Sequence, residues 1–430
     1  MTAEICVMNT IGVAMAADSA VTIGSGTKIY NSANKLFTLS KFHPVGIMIY
    51  GNAEFLRVPW ETIIKVYRQS LDVKTFPTVE EYSYDFLHFL KGNNYMELTS
   101  EVEEYKFILN LITESVSSAF DTILGKLKAR VNEKPDSTED ELNAVANTYL
   151  DELLMDCDNK NFINGFDDQD YRQIIEKYGD QIEKIIIETF ENMIFSEHLI
   201  TNLKYIVANN LIKQFSRSTS GIVIAGFGEQ ELYPSLFAYN IDGRINNKLK
   251  YQLTTQRVVG TDFTAAIVPF AQDDMVHTFV RGINPEIEGI SSNYLGNIFK
   301  NLSNVIVEQL LDNLKNPKDS PELIKIIDDQ LMNIFDKFNQ SLDQYKQEHF
   351  TTPILNIVNS LPKDELAEMA ESLVNLTSFK RRVSSSLETV GGPVDVAVIT
   401  KGDGLIWIKR KHYFKQELNQ QFAQNYFRRD

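Results

Sequence analysis

The chain reads as an α+β protein built around mainly antiparallel sheets, and three observations predict this. Strand-like segments and helical segments are segregated along the sequence. Short hairpins fall near the start, in the middle and near the end, with long helical blocks between them. No regular alternation of strand and helix is present, which argues against a doubly wound parallel sheet.

The opening segment supplies the first hairpins. Residues 2–8 alternate weakly, and Gly12 to Thr22 reads as a buried strand with a polar end, the connection being Asn9-Thr10-Ile11-Gly12. Lys35 to Leu39 and Val45 to Gly51 are two further short strands, with His43-Pro44 in their turn. From Phe55 the apolar period becomes helical: Trp60, Ile63, Ile64 and Tyr67 share a face, and Thr78 with Glu81 forms a capping-box signature before a second helix. Helical patterning continues to about Phe215, broken by charged loops such as Asn132 to Asp136. Strand character returns at Gly221 to Phe227 and at Leu236 to Gly243, where Asp242-Gly243 predicts a turn. A second helical stretch is expected over 262–282, 290–346 and 363–376, and Val394 to Thr400 with Gly404 to Ile408 closes the chain as a hairpin.

Composition bounds the function. The 430 residues are 43% hydrophobic and 23% charged, enough to bury a sizeable core, as one large domain with insertions or as several. A net charge of -16 with only short basic runs, Lys380-Arg381-Arg382 and Lys409-Arg410-Lys411, opposes a nucleic-acid surface. The two cysteines, Cys6 and Cys157, allow neither a disulfide framework nor a zinc pattern, and Cys6 is expected as a small apolar residue of the first strand. No leader pattern and no unbroken apolar span are seen, so a soluble, cytoplasmic protein that contacts no membrane is expected. The six histidines show no helical pairing, and Asp156 to Asn161 has Lys160 and Asn161 where a calcium loop needs an oxygen ligand and glycine. Gly24-Ser25-Gly26-Thr27-Lys28 lacks the phosphate-loop spacing. No metal and no cofactor is called for. Phe414, Leu418 and Phe422 form a helical stripe that packs on the core or docks a partner subunit.

The chemistry concentrates at the start. If Met1 is removed, Thr2 carries a free α-amino group beside its hydroxyl, a base and a nucleophile on one residue. A Thr at position 2 is uninformative alone. What gives it meaning is the series Thr2, then Ala16-Ala17-Asp18, Val21-Thr22, Asn34-Lys35-Leu36-Phe37 and Ile47-Met48-Ile49-Tyr50-Gly51-Asn52-Ala53-Glu54. In this order and spacing the chain resembles the proteasome β-subunit and HslV-type family of N-terminal-nucleophile (Ntn) hydrolases. Ile222 to Phe227, Tyr239 to Gly243, Val259-Gly260-Thr261 and Asp395 to Thr400 also resemble family strands, so that roughly half of the chain is covered.

The resemblance implies a four-layer αββα sandwich, with residues 2–430 as a single proteasome-like domain enlarged by two mainly helical insertions, 97–210 and 284–375. It implies a threonine-type peptidase in which Thr2 forms an acyl-enzyme, Lys35 assists proton removal, Asp18 orients Lys35 and the Gly51 N–H receives the oxyanion. Thr261 and Glu388 are expected to support the terminal amine. Here the pattern departs from the family, because Gly260-Thr261 stands for Gly-Ser and Glu388-Thr389-Val390-Gly391-Gly392 carries Gly391 where the family has Ser. Thr22 would face the substrate strand, and Ala20, Val21, Ala33, Ile49 and Ala53 would line an apolar pocket for a peptide or protein substrate. Family members form homo-oligomers, often fed by an ATP-dependent unfoldase, which would here be a separate protein. Two alternatives stay open: a catalytically silent scaffold or binding subunit in which Asp18 and Lys35 are an ordinary ion pair, and an amidohydrolase acting on a small amide.

Overall fold

The first strand, β1 (Ala3–Asn9), turns at Asn9 and returns as β2 (Gly12–Ala17), as the hairpin pattern predicts. The Asn9 side chain fastens this turn: its Oδ1 accepts from Ile11 N–H at 2.9 Å, and its Nδ2 donates to the carbonyls of Val358 and Leu361, both at 2.9 Å. A computed structural model describes residues 2–23, 28–92, 101–191, 197–261, 263–311, 320–384, 390–412 and 414–421.

Two five-stranded antiparallel sheets form the centre. In the first, β1 and β2 are flanked by β12 (Ala265–Ala271) on one side and by β13 (Asp395–Thr400) and β14 (Gly404–Lys409) on the other. In the second, the order runs β11 (Lys248–Val258), β10 (Ser235–Ile245), β9 (Ser220–Gly226), β6 (Val45–Gly51), β5 (Leu36–Thr38). The period of two assigns each strand's faces. Cys6 and Met8 of β1 join Met15, Met48, Val223, Ala238 and Ala397 in an apolar cluster drawn from both sheets. Ala3, Ile5 and Val7 point the other way, into a cluster with Val358, Leu366, Ala370 and Val374 of helices α10 (Thr352–Ser360) and α11 (Lys363–Val383). The outer side of the second sheet is covered by α1 (Trp60–Leu71) and α2 (Val79–Lys91), through Trp60, Ile64, Tyr67 and Phe86.

The remaining helices lie beyond this centre. A block of α3 (Glu101–Glu133), α4 (Glu139–Asn159), α5 (Asp168–Thr189) and α6 (Glu197–Lys213) holds its own core and meets β10 through Ile245. By length and composition α3 reaches what a membrane span needs, contrary to the sequence expectation. Its Ile108, Ile112, Val116 and Ile123 are spent in this block's core. After the short α7 (Asp274–Arg281), α8 (Pro285–Leu311) packs against α9 (Ser320–Lys346), with the Phe299 and Phe335 rings 5.6 Å apart.

Two sequence expectations are corrected. Residues 262–282 were expected to be helical, yet Ala265 to Ala271 is a strand paired in register with β1. Pro269 is tolerated there because β12 is an edge strand, where a missing N–H costs no ladder bond. Asp242-Gly243 is not a turn; it lies inside β10, at an irregularity in its pairing with β11. The turn is Asn246-Asn247, both at positive φ. Gly243 is required instead by a neighbour, since a Cβ there would lie 2.4 Å from the Phe107 ring of α3. At Thr78 the cap is half of the expected box: its hydroxyl accepts the Glu81 N–H at 3.2 Å. Cys6 is fully buried on β1, as expected, and burial raises its thiol pKa far beyond the ordinary range.

Candidate active site

The end of β2 delivers Asp18 to the junction of the two sheets. Its N–H donates to Ala3 O at 3.1 Å, which continues the β1–β2 ladder by one residue and turns the side chain inward. Four donors then converge on the buried carboxylate. Oδ1 accepts Lys35 Nζ at 2.6 Å and Ala3 N–H at 3.0 Å, and Oδ2 accepts Ala20 N–H at 3.1 Å and Gly391 N–H at 3.0 Å. Charge-assisted bonds of this kind are the strong ones, and they explain how an anion can be buried here at all. Lys35, which enters just before β5, is only 4% exposed. A cation that deep requires its partner at contact distance.

Thr2 lies on the same spot. Its carbonyl accepts Gln272 N–H at 3.1 Å, and the amide that follows it, Ala3 N–H, shares Asp18 Oδ1 with Lys35. Thr2 is 5% exposed, and its Oγ1 is buried with no hydrogen-bond partner. The first described residue of the chain therefore carries a buried, unengaged hydroxyl and is joined directly to an amide that binds the buried Lys35–Asp18 pair.

The second sheet contributes β6 and its end. Ile49 N–H donates to Lys35 O at 2.9 Å, so β6 runs directly alongside the lysine. Gly51 ends that strand at φ +79, and a Cβ on it would lie 2.4 Å from Thr219 O. Only glycine combines this backbone with so close an approach. Of the other residues expected at the site, Ala20 is fully buried and bound to Asp18 through its N–H. Ala33 is half-buried and donates to Ser19 O at 3.1 Å, Ile49 is buried, and Ala53 is exposed beside Gly51. Val21 is half-buried, and Val21 and Thr22 pair with Tyr30 and Ile29 in a small hairpin.

The distal support differs from the sequence expectation in its means. Thr261 is exposed, and among the described residues no hydrogen bond joins it to Thr2, Asp18 or Lys35. Glu388 lies outside the described residues. Gly391, noted for its missing hydroxyl, reaches the site by its backbone: its N–H binds Asp18 and its carbonyl accepts Ser19 N–H at 3.1 Å.

One residue at this site escaped sequence reasoning. Glu4 of β1 is fully buried, both of its carboxyl oxygens lack a hydrogen-bond partner, and burial holds its pKa well above the usual carboxylate range. The nearby Lys35 charge opposes that rise and Asp18 adds to it. The available signal was a charged residue at an inward position of an otherwise apolar strand. Elsewhere, the helical block holds a cavity of about 350 Å³ lined by residues such as Ser115, Asn210, Gln214 and Arg217. No member of the Thr2, Asp18 and Lys35 group lines it, and the site is defined by its polar chemistry rather than by this cavity.

No protein-family profile and no curated protein matches the chain. Among solved structures it is similar to Anbu (ancestral beta-subunit) from Yersinia bercovieri, at 9% identity over 98% of this chain and 93% of that one, with a TM-score of 0.26. It is likewise similar to the helical assembly of the Anbu complex from Pseudomonas aeruginosa, at 9% identity, the same coverage and a TM-score of 0.27. Scores this low carry no argument about the reaction.

Proposed function

We propose that this chain is an N-terminal-threonine hydrolase, built as a proteasome-like four-layer αββα sandwich, that cleaves peptide bonds once Met1 has been removed. The observation that supports the reading is the shared oxygen of Asp18, which binds Lys35 Nζ and the Ala3 N–H together, one residue from the buried and unengaged hydroxyl of Thr2. In the proposed reaction Thr2 Oγ attacks the scissile carbonyl while its proton passes to the α-amino group, whose unperturbed pKa of about 7.7–8.0 suits a base near neutrality. The Lys35 charge favours the alkoxide-like transition state and the neutral amine. Because alternate N–H groups of a strand point to the same side and Ile49 uses that side for Lys35, the Gly51 N–H is directed toward the same space and is suited to receive the oxyanion. Collapse of the intermediate breaks the C–N bond, the amine leaves with the proton from the terminal ammonium, and water then hydrolyses the Thr2 ester.

Within this reading, Ala20, Val21, Thr22, Ala33, Ile49 and Ala53 border an uncharged substrate pocket, and residues 97–210 and 284–375 are insertions into the domain. Homo-oligomeric assembly is supported by an exposed stripe on α8, where Ile287, Ile290, Tyr294 and Ile298 follow helical spacing and each is at least 43% exposed. An unfoldase, if one acts, is a separate partner. The test is intact-mass and N-terminal analysis of purified protein before and after an epoxyketone or boronate probe. A Thr2 start with an adduct on that residue, absent from Thr2→Ala, is the expected result; a retained Met1 or an unreactive Thr2 would overturn it. The second reading, a catalytically silent scaffold, draws on the exposed position of Thr261 and the absent hydroxyl at Gly391. It predicts that Thr2→Ala leaves the protein's cellular role intact.

A further inference from the structure

Glu4 has no part in the reaction as drawn above, yet its placement is hard to reconcile with a merely structural role. Along β1 the odd residues Ala3, Ile5 and Val7 face the helices, whereas Cys6 and Met8 face the space between the sheets. Glu4 shares the second face; Thr2 lies just before the strand with its carbonyl still bonded to Gln272 N–H, and extending the same alternation by one step brings it to that face, about 7 Å from Glu4 at the Cα atoms. In register Glu4 pairs with Ala17, the neighbour of Asp18, and with Phe270. The charged and titratable groups that face it are Lys35, Asp18, Cys6 and Tyr50. Lys35 is already bound to Asp18, and the Cys6 and Tyr50 groups are both pushed upward, Tyr50 to about 12, by burial first and by Glu4 second. No described group pairs with Glu4, whose two oxygens, like Thr2 Oγ1, are buried without partners. Buried polar atoms without partners are costly, so three of them on two residues this close in sequence call for an occupant that arrives later.

We propose that Glu4 is a positioning residue for Thr2, a carboxyl kept without a partner until removal of Met1 exposes the terminal amine, with which it then shares a single proton. The inference rests on the hydrolase reading for its catalytic meaning. One proton moves between two groups: either Glu4 is un-ionised and the amine neutral, or Glu4 is a carboxylate and the amine an ammonium. In the first form the amine can accept the Thr2 Oγ proton. Once it has done so, the new ammonium faces the Glu4 carboxyl, and the pair titrates with values that belong to both groups. Gly391, which approaches with a backbone N–H only, supplies no hydroxyl for that purpose.

The experiment is the pH profile of probe acylation at Thr2 in the mature protein, wild type against Glu4→Gln and Glu4→Asp. An ionised Glu4 stabilises the ammonium, so its loss lowers the amine's pKa. The acid limb in Glu4→Gln is therefore expected to move down by at least one pH unit, a tenfold shift in the protonation constant, and Glu4→Asp should return it part of the way. Superimposable acid limbs in wild type and Glu4→Gln would overturn the proposal. If neither variant folds, infrared spectra of wild-type protein with and without Met1 decide. A protonated carboxyl band that ionises at lower pH once Met1 is gone supports the pairing, and one that does not move refutes it. The infrared comparison needs no catalysis, so an unreactive Thr2 counts against the hydrolase reading while the Glu4–amine pairing is still measured.

Discussion

The backbone N–H of Gly391 donates to Oδ2 of Asp18 at 3.0 Å, across 373 residues of sequence. Three more donors reach the same carboxylate, one of them the Lys35 ammonium. Asp18→Asn replaces an acceptor by an NH₂ group that faces N–H donors and leaves Lys35 buried without a counter-charge. Breaking a buried pair in this way costs about 3–5 kcal/mol, whereas Lys35→Met, which leaves Asp18 its three backbone donors, should cost less. Urea unfolding of the two variants checks the ranking.

Glu4 makes a stability prediction separate from catalysis, best measured on protein that keeps Met1. Its folded-state pKa is raised, so above the ordinary carboxylate value the native state holds a proton that the unfolded state has released. Stability is then lost as pH rises from about 4.3 toward the folded value, at about 1.4 kcal/mol for each unit of that rise. Glu4→Gln lacks this loss. It should match wild type near pH 4 and exceed it at neutral pH, a difference readable from unfolding midpoints.

Lys250 and Asp242 form a second ion pair, 3.0 Å apart with both side chains fully buried. Burial depresses the Lys250 pKa despite the carboxylate beside it. The unfolded chain therefore binds more protons than the native one between that lowered value and about 10.4, and stability rises with pH through the window. Lys250→Met removes the rise. Asp242 also accepts the Ser216 N–H at 2.9 Å and the Ser216 hydroxyl, so it keeps partners when Lys250 is gone. Alkaline thermal scans of wild type and Lys250→Met test the slope.

Gly51→Ala places a Cβ against Thr219 O in a left-handed backbone, and backbone strain of this sort costs about 1–3 kcal/mol. Gly125, inside α3 with open space around it, is the control: Gly125→Ala should be stabilising by about 0.5–1 kcal/mol. If the Gly51 N–H receives the oxyanion, Thr2 labelling should fall at least tenfold in Gly51→Ala and stay unchanged in Gly125→Ala.

The β1–β2 hairpin, β5, β6 and the final hairpin were legible because their apolar runs are short and punctuated by turn residues. The same local logic failed at Ala265 to Ala271, where Pro269 and neighbouring alanines hid an edge strand whose partner lies more than 250 residues earlier. It failed again at Asp242-Gly243, a turn signal locally but a packing site against Phe107 in three dimensions. The pairing of Asp18 with Lys35 came from the family resemblance, and the two are bonded at 2.6 Å. Glu4 could not be found, since its meaning lies in the absence of partners after folding, and Gly391 acts through a backbone group that no side chain advertises.

The distribution of the first sheet along the chain also sets the order of its construction. Its middle strands, β1 and β2, leave the ribosome first, while β13 and the Gly391 amide follow only after some hundreds of residues. At about 5–20 residues per second the opening hairpin waits on the order of half a minute for its neighbour. During that time Asp18 lacks one of its four donors, and the space between the sheets stays open on that side. The nascent chain thus carries Thr2 and Asp18 long before the segment that completes their surroundings has been made.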